Sequence, residues 1–305
     1  MSRNLHLVMQ AKGGVGKTFI ASMMLQFLRE RDPNIMAYDV DPTNNTLSCF
    51  KSLDVNYLNL LENKRNVDVN DFDRLFEYVQ TSNSDAVVDS GSSSFVPLYT
   101  FFTKDRADEI FTQVGYNVIL HVPIIGGESR NECLVKLESM INEIPNAYFV
   151  VWLNEYFGEV FNPKSITPGE PHYFEDLDVF KNNKDRIKAV ITINKEPEDG
   201  NGKLFKQIIS NFWTFEDFFS KAKGGLVSRD GGEFVSFSAM QLFRARCVKE
   251  NLWQAMQPLL SLEELKKKNP NGFIQPHNAV DHEQEALLAK VTAEEIASID
   301  EDDEA

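Results

Sequence analysis

Short apolar runs alternate along this chain with longer stretches in which apolar positions recur every three or four residues. The short runs predict strands near residues 5–10, 35–39, 85–89, 117–122, 148–153 and 188–193. The periodic stretches predict helices near 17–30, 70–81, 104–113, 128–143, 173–182, 203–210, 214–222, 236–256 and 261–268. Tyr148-Phe149-Val150-Val151-Trp152-Leu153 is apolar without alternation, as a strand covered on both faces requires. Strand and helix in turn predict an α/β fold, a mostly parallel twisted sheet with helices on both faces. Two segments rich in proline, glycine and charge, 162–171 and 196–202, read as loops. Phe212, Trp213, Phe215, Phe218 and Phe219 fall at helical spacing and read as core.

Composition narrows the classes. A length of 305 residues with 42% hydrophobic content suits one large domain, expected over 1–275. No apolar run approaches the roughly twenty residues of a membrane span. The first strand begins so early that a signal peptide has no room, which points to the cytoplasm. Cys49, Cys133 and Cys247 are scattered, with no metal spacing, which fits a reducing compartment. The net charge of −15 is uneven: residues 281–305 carry ten acids against Lys290, or −9, leaving −6 for the rest. Residues 276–305 therefore read as an acidic C-terminal tail, partly disordered. No basic excess marks the chain for DNA. Nucleic acid stays open only through local groups, Arg244, Arg246 and Lys249 or Lys266-Lys267-Lys268. The first group lies beside Met240, Leu242 and Phe243 and reads as the solvated face of a packed helix. A membrane partner is not expected, since the acidic end is repelled by anionic lipid.

The most specific chemistry lies between the first strand and the first helix. Ala11-Lys12-Gly13-Gly14-Val15-Gly16-Lys17-Thr18 has the strand–loop–helix setting of a phosphate-binding loop. Its glycines let backbone N–H groups converge on anionic oxygens at a helix N-terminus. Gly13, Gly14, Val15, Gly16, Lys17, Thr18 and Phe19 are the expected nucleotide contacts, with Lys17 on the β- and γ-phosphates and Thr18 on Mg²⁺. Two strands end in carboxylates, at Asp39-Val40-Asp41 and at Asp89, on the edge where parallel sheets bind ligands. Such carboxylates hold a metal-bound water or orient an attacking one.

Ala11 replaces the first glycine of the usual loop, and Lys12 is an additional lysine. Lys-Gly-Gly-x-Gly-Lys-Thr resembles the deviant Walker A loop of the ParA/MinD superfamily of ATPases. The resemblance implies that Lys12 reaches the partner's nucleotide across an ATP-dependent homodimer. It implies that Asp41 positions the attacking water, that Asp39 lies near the metal, and that Asp89 is the Walker B aspartate. By the same analogy Asn154 contacts adenine. The segments 117–127, 148–158, 214–217 and 240–246 are similar to the conjugal-transfer TraL branch. Phe19 stands where ParA proteins commonly have a second Thr, and Ser90-Gly91-Ser92 lacks a frequent proline; neither removes a needed group.

The expectation is an ATPase switch with ATP and Mg²⁺ as cofactors, slow until stimulated by a protein partner, and serving conjugative transfer or plasmid maintenance. Two alternatives stay open: an ATP-driven metabolic or redox enzyme on the same loop, and an ATP-binding adaptor with little hydrolysis.

Overall fold

Strands β1 (Arg3–Val8), β2 (Met36–Asp39), β3 (Asn56–Tyr57), β4 (Ala86–Asp89), β5 (Tyr116–Ile125), β6 (Tyr148–Asn154) and β7 (Ile187–Ile193) form one sheet. Their order is β3-β2-β4-β1-β5-β6-β7, and every pairing is parallel. The computed structural model describes residues 2–60, 67–165, 167–195, 200–223, 227–228, 234–235 and 237–265. The acidic tail, the group Lys266–Lys268 and residues 196–199 lie outside the described residues; Gly200, Asn201 and Gly202, expected in the loop 196–202, instead begin a helix.

Helices cover both faces. On one lie α2 (Asp73–Thr81), α3 (Phe95–Thr103), α4 (Ala107–Gln113), α5 (Arg130–Glu143) and the short α6 (Asp178–Lys181). On the other lie α1 (Lys17–Arg29), α7 (Gly200–Ser210), α8 (Phe215–Lys223) and α9 (Ala239–Ala255). The central strands alternate between these two cores: Leu5, Leu7, Val118 and Leu120 face the first, Val8 and Ile119 the second. A small antiparallel pair, β8 (Val227–Ser228) and β9 (Phe234–Val235), falls between α8 and α9 in sequence.

Some elements differ from the expected ones. α3 has no counterpart in the periodicity, because Phe95-Val96-Pro97-Leu98-Tyr99 is apolar on every side and holds a proline. Pro97 sits in the first turn, where a missing N–H costs no helical bond. The helix expected over 173–182 is a 3₁₀ turn followed by the four-residue α6, and the one expected over 261–268 is a 3₁₀ run, Gln257–Glu264. β5 continues through Pro123, past its expected end at 122. Met9 N still bonds His121 O, but two residues later β1 has given way to a loop. Pro123 stays in register with Trp152 of β6 but faces no partner on the β1 side, where its carbonyl instead accepts Gln10 Nε2 at 3.1 Å.

The sheet centre holds a polar chain. Trp152 Nε1 donates to His121 Nδ1 at 3.0 Å, and His121 Nε2 meets His6 Nδ1 at 2.9 Å. An indole N–H only donates, so Nδ1 of His121 is the acceptor and its proton lies on Nε2. Burial, and secondarily His6, hold the His121 pKa well below its ordinary value. His121 is therefore neutral in the fold but takes a proton near pH 6.5 when unfolded. This contribution to stability is complete above about 6.5 and is lost as pH falls below it. The urea midpoint should drop from pH 7.5 to 5.5, at up to about 1.4 kcal/mol per pH unit for one proton. His121→Asn should be less stable at pH 7.5 yet lose less on acidification; equal pH slopes in the two proteins would contradict the assignment.

Candidate functional site

The register of the sheet sets three strand ends level with one another. Val8 pairs with Asp89, and Asp89 with Asp39, so β1, β4 and β2 deliver their last residues to one edge. Beyond Val8 the chain makes a loop to Gly16, and α1 starts at Lys17. Gly14 and Gly16 have φ of +73° and +93°, a region glycine enters without strain. Gly16 is restricted twice, because a Cβ there would stand 2.6 Å from Asn154 Nδ2. α1 has no side-chain cap and no acid in its first turn. Its leading N–H groups and the positive end of its dipole therefore point at the loop, as an anion site requires.

Lys17 and Asp89 are the charged pair of this edge. Lys17 is buried, and its pKa is lowered by desolvation against the opposing pull of Asp89 and Asp41. Its Nζ donates to the Lys12 carbonyl at 3.0 Å. Asp89 is fully buried; no donor meets its carboxylate in good hydrogen-bond geometry, and the Thr18 hydroxyl beside it bonds at most weakly. Burial pushes its carboxyl up to about 8, with the adjacent Thr18 hydroxyl and Lys17 acting in the other direction. A buried carboxylate beside a hydroxyl fits a hard cation that prefers oxygen and keeps waters and phosphates as its other ligands. Among the described residues no group of three His, Cys, Asp or Glu side chains is arranged to hold a metal ion by itself.

Asp39 lies beside Asp89 in the sheet register, with its oxygens bonded to its own loop. Its Oδ1 accepts Asp41 N at 3.1 Å, and its Oδ2 accepts Ser48 N at 3.1 Å and Ser48 Oγ at 3.2 Å. Both oxygens are thus spent on the turn that carries Asp41, and burial raises its pKa above the usual range. Asp41 sits at the edge, its Oδ1 accepting Thr43 N at 2.9 Å, Thr43 Oγ1 at 2.8 Å and Asn44 N at 3.1 Å. Its carboxylate lies against the α-carbon of Gly91, where a Cβ would come within 2.4 Å of Oδ1.

A cavity of about 440 Å³ opens beside the loop. Gly14, Gly16 and Phe19 form one wall, Tyr156 and Phe157 another, and Phe205 and Ile209 of α7 a third. Phe19 packs edge-on against Phe205 with centroids 5.8 Å apart. Asn154 lines this cavity but also braces the loop: Nδ2 donates to Val15 O at 3.0 Å, and Oδ1 accepts Tyr156 N at 3.2 Å. Lys12 pairs with Glu132 of α5 at 3.0 Å. Gly13 lies on the exposed shoulder of the loop, near Ser92.

The fold therefore gathers Gly14, Gly16, Lys17, Thr18, Asp41 and Asp89 at one edge, with Asn154 behind the loop and Lys12 outside it. Sequence reasoning missed Gln10, Gly91, Glu132 and the aromatic cavity wall. Gly91 alone had a signal, a glycine directly after a strand-end carboxylate and a serine. Among the described residues no helix is long and apolar enough to cross a membrane.

Residues 7–271 match the CobQ/CobB/MinD/ParA nucleotide binding domain. One protein TraL of Escherichia coli is 30% identical over 213 residues, covering 70% of this chain and 85% of that protein. A second TraL of Escherichia coli is 28% identical over 226 residues, covering 74% and 90%. Among solved structures, a plasmid partition protein of Borrelia burgdorferi bound to AMPPNP has a TM-score of 0.40 at 16% identity, covering 72% of this chain and all of that one. The chain belongs to the CobQ/CobB/MinD/ParA nucleotide-binding family, and within it is related to the TraL proteins.

Proposed function

We propose that this protein is an ATPase switch that dimerises around Mg-ATP, hydrolyses it slowly, and serves conjugative plasmid transfer or maintenance in the cytoplasm with a protein partner from that machinery. The observation that carries the reading is the buried carboxylate of Asp89 beside Thr18 and Lys17, at the edge where the glycine loop meets the uncapped N-terminus of α1. The TraL relatives supply the process.

Gly13 to Thr18 and the start of α1 cradle the phosphates, and Lys17 exchanges the Lys12 carbonyl for phosphate oxygens. Thr18 and Asp89 would hold Mg²⁺, which would supply charge neutralisation to the phosphates. The base enters the aromatic cavity between Phe19 and Phe157, with Asn154 at its back. Asp41 orients a water in line with the γ-phosphorus and takes up its proton as the bond to ADP breaks. Lys12 faces outward and contacts the nucleotide of the second subunit. Its charge offsets phosphate charge that would otherwise hold two subunits apart, so ATP favours the dimer and its hydrolysis releases it.

Burying Asp89 without a strong partner costs stability while the site holds no cation. Its raised pKa means that stability from the protonated form is lost as pH rises through about 8. Asp89→Asn should raise unfolding stability without nucleotide or Mg²⁺ by about 1 kcal/mol at pH 7, and more at pH 8 than at pH 6. The same variant should lose Mg²⁺-dependent ATP binding. A destabilised apo variant would show that Asp89 is held by something else.

Lys17→Ala should weaken ATP binding at least about tenfold, or about 1.4 kcal/mol, with the fold intact. Unchanged affinity by calorimetry would remove the loop as the phosphate site. Lys12→Ala should bind ATP as a monomer and fail to dimerise. Asp41→Ala should dimerise with Mg-ATP and persist, with hydrolysis lowered by orders of magnitude. Light scattering on a sizing column reads both; a Lys12→Ala dimer, or an Asp41→Ala enzyme at wild-type rate, would reject the mechanism.

A further inference from the structure

The two lysines of the loop are connected through one backbone group. Lys17 Nζ donates to the Lys12 carbonyl at 3.0 Å, and the Lys12 side chain pairs with Glu132 at 3.0 Å. The residues beside this ion pair are fixed from within. Gln10 is fully buried; its Nε2 donates to Pro123 O at 3.1 Å and Cys133 O at 3.4 Å, and its Oε1 accepts Ala11 N at 2.9 Å. One amide thus ties residue 11 of the loop to residue 133 of α5. Lys12 and Glu132 are each one position from those tied points, so their meeting is set by the buried framework. Their side chains are 39% and 50% exposed, so the pair is weak and exchangeable.

We infer that Glu132 is a positioning residue that holds Lys12 to its own subunit and sets the threshold for ATP-driven dimerisation. The inference rests on the reading of Lys12 as the contact to the second subunit's nucleotide. Phosphate at the loop draws Lys17 off the Lys12 carbonyl, because a charged acceptor outbids a neutral one. Residue 12 is then held only by Glu132. The phosphates of a facing subunit compete with that single carboxylate for the ammonium. With ATP they carry more charge than with ADP, so Glu132 loses Lys12 to the first and recovers it from the second. By opposing both equally the carboxylate leaves the ratio of the two dimerisation constants unchanged and raises the threshold for each, so that dimer forms with ATP at concentrations where it does not with ADP.

Dimerisation of the full chain should be titrated by analytical ultracentrifugation with Mg-AMPPNP, and again with Mg-ADP, for wild type, Glu132→Gln, Glu128→Gln, Lys12→Ala and the Lys12→Ala/Glu132→Gln double variant. An exposed pair is worth about twofold to fivefold, and each dimer breaks two, so Glu132→Gln should dimerise about 4- to 25-fold more tightly. AMPPNP affinity of the monomer should stay within about twofold, and dimer should become detectable with ADP. Glu128→Gln removes an exposed charge from the same loop-to-helix segment without touching Lys12 and should shift dimerisation less than about twofold. In the Lys12→Ala background Glu132→Gln should have no effect. Equal or weaker dimerisation of Glu132→Gln, or an equal gain from Glu128→Gln, overturns the inference. If Lys12→Ala itself dimerises normally, the fault lies in the trans-contact reading; if Lys12→Ala fails to dimerise and Glu132→Gln matches wild type, only the role of Glu132 falls.

Discussion

Two opposite charges, Lys17 and Asp89, are kept out of water at the end of a parallel sheet without bonding directly to each other. Most of the architecture follows from making that arrangement tolerable. Isolated charges in a low-dielectric interior are expensive, and each responds by drifting toward neutrality: Lys17 downward in pKa, Asp89 up to about 8. Helices on both faces withhold solvent, and the level ends of β1, β2 and β4 bring the groups together. Beneath them the His6–His121–Trp152 chain is polar but uncharged. The field at the edge is thus set by the edge residues and the α1 terminus.

The aromatic residues give the other half of the site its stiffness. Phe19 meets Phe205, Phe205 stacks on Phe215, Phe215 meets Trp253 and Trp253 meets Phe27, with centroid separations of 5.6 to 6.1 Å. This chain starts on α1, passes through α7, the start of α8 and α9, and returns to α1. The cavity wall formed by α7 is therefore fixed to the helix whose first turn faces the phosphates. Ordered aromatic contacts of this kind add to burial energy and fix orientation.

Six of the seven strands of the sheet and the strand–loop–helix setting of the glycine loop were legible because both are written locally; β3, two exposed residues, was not. Leu5–Met9, Ala86–Val88 and Phe149–Leu153 are buried on both faces, and a glycine loop between strand and helix has few other meanings. What was not legible depends on residues distant in sequence. Asn154 faces Val15, Lys12 finds Glu132, and Gln10 spans β5 and α5; none of these pairings leaves a spacing pattern. The bonds of Asp39 to its own turn were not legible, because a strand-end aspartate reads alike whether it faces a ligand or closes its own turn. α3 was missed because a helix enclosed on most sides loses the polar stripe that reveals period.

Gly91 and Asp41 come from separate strand ends yet occupy one volume. Any side chain at 91 would overlap the carboxylate at 41, and moving that carboxylate would break its bonds to Thr43 and Asn44. Sequence drift at either position is therefore conditional on the other. In a lineage that keeps Asp41, position 91 is closed to the remaining amino acids; where Asp41 has been lost, the restriction on 91 disappears with it.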